Sequence, residues 1–261
     1  MAKQLFEKSM KKLFNAFGLK VTRMNQRTTF AEVLDHIVKL GFRPSVIIDV
    51  GVAYGTYELY EKFPNSKFLL IEPIKEWEEV LKEISRKYEA EYVLAAAGDK
   101  PGKMTINVHS DLSNTSIFKE VEGKHVDGTP REIPVVTIDD LFSQRNLRDP
   151  YLIKIDVQGA ELFVLDGAQT VLKGAEMVII EVSLFQFFRN GPQLFDVVNY
   201  MKDRGFVVFD IFGFAYRPLD GALAQVDLAF VKENGQFRKC HDFATFEQRK
   251  QLIKRAQQPK S

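Results

Sequence analysis

The sequence predicts an α/β fold, a doubly wound and mostly parallel sheet with helices on both faces, and three observations carry that prediction. Apolar runs at 46–50, 68–71, 92–97 and 151–155 each break into an acidic or glycine-bearing turn. Polar stretches of helical spacing separate several of them. The runs at 206–212 and 226–231 are joined by the turn-rich Arg217-Pro218-Leu219-Asp220-Gly221, so an antiparallel hairpin closes an otherwise parallel sheet. With 261 residues and 45% hydrophobic content, the chain can bury one sizeable core.

The first strand gives way to Gly51-Val52-Ala53-Tyr54-Gly55-Thr56 and then to helix-compatible sequence. Gly51 and Gly55 take backbone angles that other residues avoid and let a ligand approach the main chain, while Asp49 orients the turn or accepts hydrogen bonds from a cationic ligand. A dinucleotide fingerprint needs glycines where this chain has Ala53 and Thr56, and no Lys follows Gly55 as in a phosphate-binding loop. Pyrophosphate is therefore disfavoured. S-Adenosylmethionine has an adenosine and a sulfonium but no phosphate, and it suits a looser loop of the form D-x-G-x-x-x-G. The candidate cofactor contacts here are Asp49, Gly51, Ala53, Tyr54, Gly55 and Thr56. The same sequence also serves as a plain strand-to-helix turn.

The second strand ends in Glu72-Pro73 about twenty residues beyond Gly51, where an acidic side chain in a βαβ unit reaches both ribose hydroxyls. A helix is expected over 75–88. The third run leads into Gly98-Asp99, and the carboxyl ends of successive strands surround one crevice in this fold class. That places Ala97, Gly98 and Asp99 near an adenine, with Asp99 accepting from its amino group; the alternative is a turn into the next strand. Residues 100–135 form an insertion with a strand over 103–109. His109 ends that strand, titrates near neutrality and is a candidate base, although a solvated strand end also suits it. The polar run from Ser110 to Ser116 can reach over the crevice.

The fourth strand opens Lys154-Ile155-Asp156-Val157-Gln158-Gly159-Ala160-Glu161. At this segment the chain resembles the FkbM-type methyltransferases, which use S-adenosylmethionine. The resemblance rests on Asp49-Val50-Gly51, Ile71-Glu72-Pro73, Val136-Thr137-Ile138-Asp139-Asp140-Leu141, the 154–161 signature and Ile180-Glu181, and it covers roughly residues 45 to 232. It implies a Rossmann-like, class I methyltransferase sheet of seven strands, with N-terminal helices and an inserted β segment. It also implies methyl transfer to a hydroxyl of a small molecule or saccharide. The family usually carries an acidic residue where this chain has Gln158. The expected organisation is an N-terminal helical extension over 1–44, the S-adenosylmethionine-dependent domain over 45–240 and a basic tail over 241–261.

An aliphatic hydroxyl needs a proton acceptor during methyl transfer. Asp156 and Glu181 end adjacent parallel strands, which sets both carboxylates over the crevice as candidate bases. Either one instead holds the methionine part of the cofactor, caps a helix, or pairs with Lys154 or Arg189. No His, Cys and Asp cluster has zinc spacing, and His36, His125 and His241 lie apart, so no metal ligand set is assigned. Phe185, Phe187, Phe188, Phe212, Phe214 and Tyr216 cluster near strand ends and serve either the core or an acceptor wall.

Lys and Arg number 36 against 35 Asp and Glu, a net charge of +1, so no basic stripe argues for nucleic acid. The lone Cys240 excludes an internal disulfide framework and suits a reducing compartment. No apolar run approaches the ~20 residues of a membrane span, and Lys8, Lys11 and Lys12 stand where a secretion signal needs an apolar core, so cytoplasm is expected. Leu5, Phe6, Met10, Leu13, Phe14 and Phe17 fall at helical spacing, for docking on the chain's own domain, on a second subunit, or on a membrane surface. A second helix covers 29–40, another 193–204, and a surface helix begins at Phe246 and frays near Gln257. Two other classes compete with the methyltransferase reading: a dinucleotide-binding oxidoreductase, which Ala53 and Thr56 disfavour, and a non-catalytic domain that keeps the fold.

Overall fold

The computed structural model describes residues 27–257 except 124, 125 and 146, together with 9, 10, 12–14, 16 and 17. His125, most of the expected first helix and the last four residues lie outside the described residues. The body begins with α1 (Phe30–Lys39), β1 (Val46–Val50), α2 (Tyr57–Lys62), β2 (Lys67–Ile71), α3 (Glu78–Lys87) and β3 (Ala90–Val93). An inserted segment follows, with β4 (Ala96–Ala97), β5 (Gly102–Val108) and β6 (Thr129–Val136). The chain then continues through α4 (Ile138–Ser143), β7 (Tyr151–Ile155), α5 (Glu161–Asp166), α6 (Gln169–Gly174), β8 (Ala175–Ser183), α7 (Leu194–Asp203), β9 (Phe206–Tyr216), β10 (Leu223–Lys232) and α8 (Phe246–Ala256).

The main sheet has seven strands in the order β3-β2-β1-β7-β8-β10-β9, and β4-β6-β5 form a second sheet of three. Neighbours from β3 to β8 are parallel, while β10 runs antiparallel to both β8 and β9. This is the class I methyltransferase arrangement, with the closing hairpin where it was expected. Helix α1 starts at a capping box between Thr29 and Glu32, which satisfies backbone donors at both residues.

Successive strand residues point to opposite faces, and both faces are covered. On one, Val33, Leu34 and Ile37 of α1, Leu59 of α2 and Leu81 of α3 pack on Ile47, Leu70, Leu152 and Ile179. On the other, Val164 of α5, Leu172 of α6 and Met201 of α7 pack on Ile48, Ile153, Ile180 and Leu228. The first face turns polar at its upper rim. Asp49, Glu72, Lys154 and Glu181 each stand two residues beyond Ile47, Leu70, Leu152 and Ile179, and Asp227 stands two residues before Ala229 of the antiparallel strand. The period of two carries these polar groups onto the rim of an apolar floor.

Two sequence expectations need correction. The run at 92–97 is not one strand: β3 stops at Val93, and Ala96-Ala97 pair instead with Val135-Val136 of the small sheet. Glu72 makes the last backbone bond of that edge, donating to Val93, and Pro73 has no N–H with which to continue the ladder. The hairpin strands are longer than expected, because the pairing of β9 and β10 continues through register shifts to Tyr216 and Leu223.

Candidate active site

The upper rim of the sheet borders a cavity of about 660 Å³. Its lining runs from the loop Gly51–Thr56 past Glu72, Pro73 and Trp77, along the strand ends at Asp156, Glu181 and Asp227, and up to the inserted segment at 112–117. Backbone conformation shapes the loop, with Gly51, Ala53 and Gly55 at φ +78°, +45° and +96°. A Cβ on Gly51 would run into the Asp156 carbonyl oxygen, so this glycine lets the ends of β1 and β7 approach.

Glu72 holds the loop from below. Its carboxylate accepts from the Ala53 N–H at 2.9 Å and from the Ile74 N–H at 2.8 Å. Burial pushes its pKa up, against the pull of those two backbone donors. Pro73 and Ala97 also line the cavity, as expected, but Gly98 and Asp99 do not. Gly98 is buried, donating to Val136, and Asp99 faces solvent because the chain has left the main sheet before reaching it.

Asp49 is likewise absent from the lining. It is fully buried beneath the loop, accepts from the Tyr60 hydroxyl, and has Lys154 Nζ 3.3 Å from Oδ1. Lys154 also donates to the Gly51 carbonyl at 2.8 Å and lies 3.6 Å from Asp156. Burial alone would depress the ammonium's pKa, but Asp49 and Asp156 outweigh it and hold lysine charged above its ordinary range. Lys154 thus ties the loop to the strand ends.

Asp156 and Glu181 both line the cavity, and Gln158 bridges them. Its amide nitrogen donates to Asp156 at 3.2 Å and to Glu181 at 2.9 Å, while Gln225 donates to the same Glu181 oxygen at 3.0 Å. Where the family's usual acid would add a repelling charge, this chain has a donor. Gln158 sits at φ +54°, and its carbonyl accepts from the Ser116 hydroxyl at 2.6 Å. Glu181 is pushed well above the carboxylate range by burial and then by Asp156 and Asp227, with Gln158 and Lys154 opposing.

The inserted segment forms a strap over this end. Asn107 and Ser116 pair as an isolated bridge, Glu120 pairs with Phe188, and Arg189 donates to the Lys119 carbonyl at 2.9 Å. Leu112, Ser113, Asn114, Thr115, Ser116 and Ile117 face the cavity. His109 does not. Its side chain is 10% exposed and turned toward Glu120, 3.6 Å away, behind the strap. The aromatic cluster after β8 and β9 is also outside the lining, with Phe212 fully buried in the core and Phe30 and Phe163 bordering the cavity instead.

Among the polar residues of the cavity, sequence reasoning passed over Glu58, Lys154, Gln158, Gln225 and Asp227 as site groups. Gln225 and Asp227 had a signal: they alternate with Ala224, Val226 and Leu228, two polar positions on one face of an otherwise apolar strand. The contact from Ser116 to Gln158 had none, since 42 residues separate the partners. Among the described residues, no group of three or more His, Cys, Asp and Glu is arranged to hold a metal ion.

Residues 49–208 match the family described as the methyltransferase FkbM domain. The chain belongs to the FkbM methyltransferase family. This sets aside the dinucleotide-binding alternative, and the FkbM cofactor is S-adenosylmethionine. The cavity fits it: the lining holds five acids, Glu58, Glu72, Asp156, Glu181 and Asp227, against the single base Lys154, an acceptor-rich lining suited to a sulfonium and unsuited to a pyrophosphate. No curated protein sequence matches the chain.

Several solved structures are similar to the FkbM chain. The N-methyltransferase NodS from Bradyrhizobium japonicum WM9 has 6% identity and a TM-score of 0.43, over 77% of this chain and 94% of that one. Precorrin-6y C5,15-methyltransferase from Geobacter metallireducens GS-15 has 14% identity and a TM-score of 0.41, over 81% and 93%. Magnesium protoporphyrin IX methyltransferase from Synechocystis PCC 6803, solved with bound S-adenosylmethionine, has 13% identity and a TM-score of 0.39, over 80% and 88%.

Proposed function

We propose that this FkbM chain is an O-methyltransferase acting on a hydroxyl of an uncharged small molecule or saccharide. The observation that carries the reading is the acid-rich rim at Asp156, Glu181 and Asp227, whose one cation, Lys154, is already engaged by Asp49, Asp156 and the Gly51 carbonyl. When bound, S-adenosylmethionine supplies an electrophilic methyl group. A hydroxyl attacking it must shed a proton, and carboxylates in the cavity can receive one. A phosphate or carboxylate on the acceptor would find no free cation among the lining residues to pair with, which argues against RNA and charged acceptors.

In this reading Gly51, Ala53, Tyr54, Gly55 and Thr56 border the nucleoside, Glu72 and Pro73 border the ribose, and Ala97 borders the base. The polar strap from Ser113 to Ser116 offers hydroxyl and amide groups to a polyhydroxylated acceptor. Among the described residues no helix is long and apolar enough to cross a membrane. The lone Cys240 suits a reducing compartment, and on that ground we place the reaction in the cytoplasm.

The chain's single tryptophan, Trp77, lines the cavity and reports on binding by fluorescence. S-Adenosylmethionine is expected to change its emission saturably. With labelled cofactor and a panel of neutral glycosides, label should pass into an acid-stable methyl ether. Label appearing only on amines or carboxylates would sink the hydroxyl reading while leaving the family intact.

A further inference from the structure

A third carboxylate shares the rim with Asp156 and Glu181. Asp227 of β10 is the register partner of Glu181 of β8, and both line the cavity. Its surroundings set it apart. Glu181 receives two amide donors and Asp156 is held by Gln158 and Lys154, whereas among the described residues nothing donates a hydrogen bond to Asp227. The backbone is shaped around it. Gly213 of β9 stands at φ +62° beside a register shift in the hairpin, and a Cβ there would collide with Asp227 Oδ2.

We propose that Asp227 is the general base of the reaction, taking the proton of the acceptor hydroxyl, and that Gly213 makes the room that aims it. The proposal rests on the hydroxyl reading above. In the step, the acceptor O–H bond breaks and its proton passes to an Asp227 oxygen. The acceptor oxygen forms its bond to the methyl carbon as the carbon–sulfur bond breaks, and that bond's electron pair stays on sulfur, leaving S-adenosylhomocysteine. Asp156 already accepts from the Gln158 amide and lies near Lys154, and one Glu181 oxygen accepts from both Gln158 and Gln225, so these carboxylates are less free than Asp227 to take the proton.

The groups facing Asp227 are Glu181 from β8, Lys154 of β7 and Asp156 just beyond it, with Gly213 and Phe212 of β9 contributing no charge. Burial first, and Asp156 second, push the Asp227 carboxyl up to about 7, with Lys154 opposing. A base is active when deprotonated, so turnover rises with pH through this range and falls away on its acid side.

Two measurements test the proposal. The first needs no acceptor: ¹³C NMR of side-chain carboxyls in aspartate-labelled protein should show one resonance titrating near neutrality, lost in Asp227→Asn. If every aspartate titrates below about pH 5, or the neutral resonance survives in the variant, the proposal is overturned. The second uses labelled S-adenosylmethionine and neutral methyl glycosides. Asp227→Asn should lower kcat by about 10²–10⁴ and remove the acid limb of the pH profile, a loss far larger than any change in cofactor affinity read at Trp77. Asp227→Ser replaces it where the asparagine variant does not fold. Undiminished turnover with the limb intact sinks the assignment of Asp227 alone, whereas transfer to amines with none to hydroxyls sinks the hydroxyl reading and this proposal together.

Discussion

At the scale of single residues, glycine and glutamate in the loop do work that sequence spacing describes only in part. Spacing linked Gly51 to ligand approach, whereas its neighbour is the Asp156 carbonyl and its φ is +78°. Gly51→Ala is therefore expected to cost about 1–3 kcal/mol of backbone strain, with a melting temperature lower by several degrees, as well as weaker cofactor binding. An unchanged melting temperature by scanning fluorimetry would refute that. Glu72→Ala removes two hydrogen bonds to a charged acceptor, and binding should weaken by about 1.5–3 kcal/mol. A cofactor analogue lacking the ribose hydroxyls separates direct contact from loop support: equal weakening in wild type and variant would show that Glu72 acts only through the loop.

Glu161 gives a pH prediction of defined sign. It is 5% exposed and accepts from the Gly159 N–H at 2.8 Å, and burial pushes its carboxyl up to about 7 against that donor. The folded chain therefore keeps this proton to higher pH than the unfolded chain. Its contribution to stability is full below the ordinary glutamate range and is lost as pH rises through about 7. Glu161→Gln should lose more stability relative to wild type at pH 5 than at pH 8, as measured by chemical denaturation at both. A pH-independent difference would mean that Glu161 is not held in its protonated form.

At the scale of elements, strands and helices with a complete local signal were legible. Helix α1 lies inside the expected 29–40, because Thr29 and Glu32 cap it and Gly41 releases it. Helix α7 lies inside 193–204 for the same kind of reason, ending before Gly205 at φ +77°. The break after β3 was not legible, since Ala96 and Ala97 suit either sheet and the choice depends on β6 nearly forty residues later. The strap is likewise a long-range product. Ser116→Ala removes its bond to the Gln158 carbonyl, about 1 kcal/mol, and should raise hydrogen exchange across 109–121 while leaving the main sheet protected. Uniform exchange change across the body would argue against a separable strap.

At the scale of the whole molecule, the fold class and several cavity-lining positions, Gly51, Glu72, Asp156 and Glu181 among them, could be read from strand-end acids and glycines, because those positions repeat along the chain. The share of the cavity contributed by β10 and the strap could not, because it converges on those strand ends from distant parts of the chain. Beyond the body, every described residue from 245 to 257 is exposed, including Phe246 and Ile253 of α8. A chain ending after Asp242 should keep the melting temperature and the Trp77 binding response of the full chain. A loss of several degrees would show that α8 docks on the body.

The carboxylates of the rim are spaced by the sheet itself. Neighbouring strands lie about 4.8 Å apart, a separation fixed by backbone hydrogen bonds and insensitive to side-chain replacement. The strap is tied down more sparsely, by two isolated bridges and the Ser116 hydroxyl, and belongs to an insertion outside the main sheet. If the rim carboxylates handle the proton as proposed, heredity can treat the two parts differently, redrafting residues 109–123 for a new acceptor while those carboxylates keep their lattice. Chimeras that exchange this segment between related chains should inherit the acceptor preference of the strap's donor and the pH profile of the sheet's.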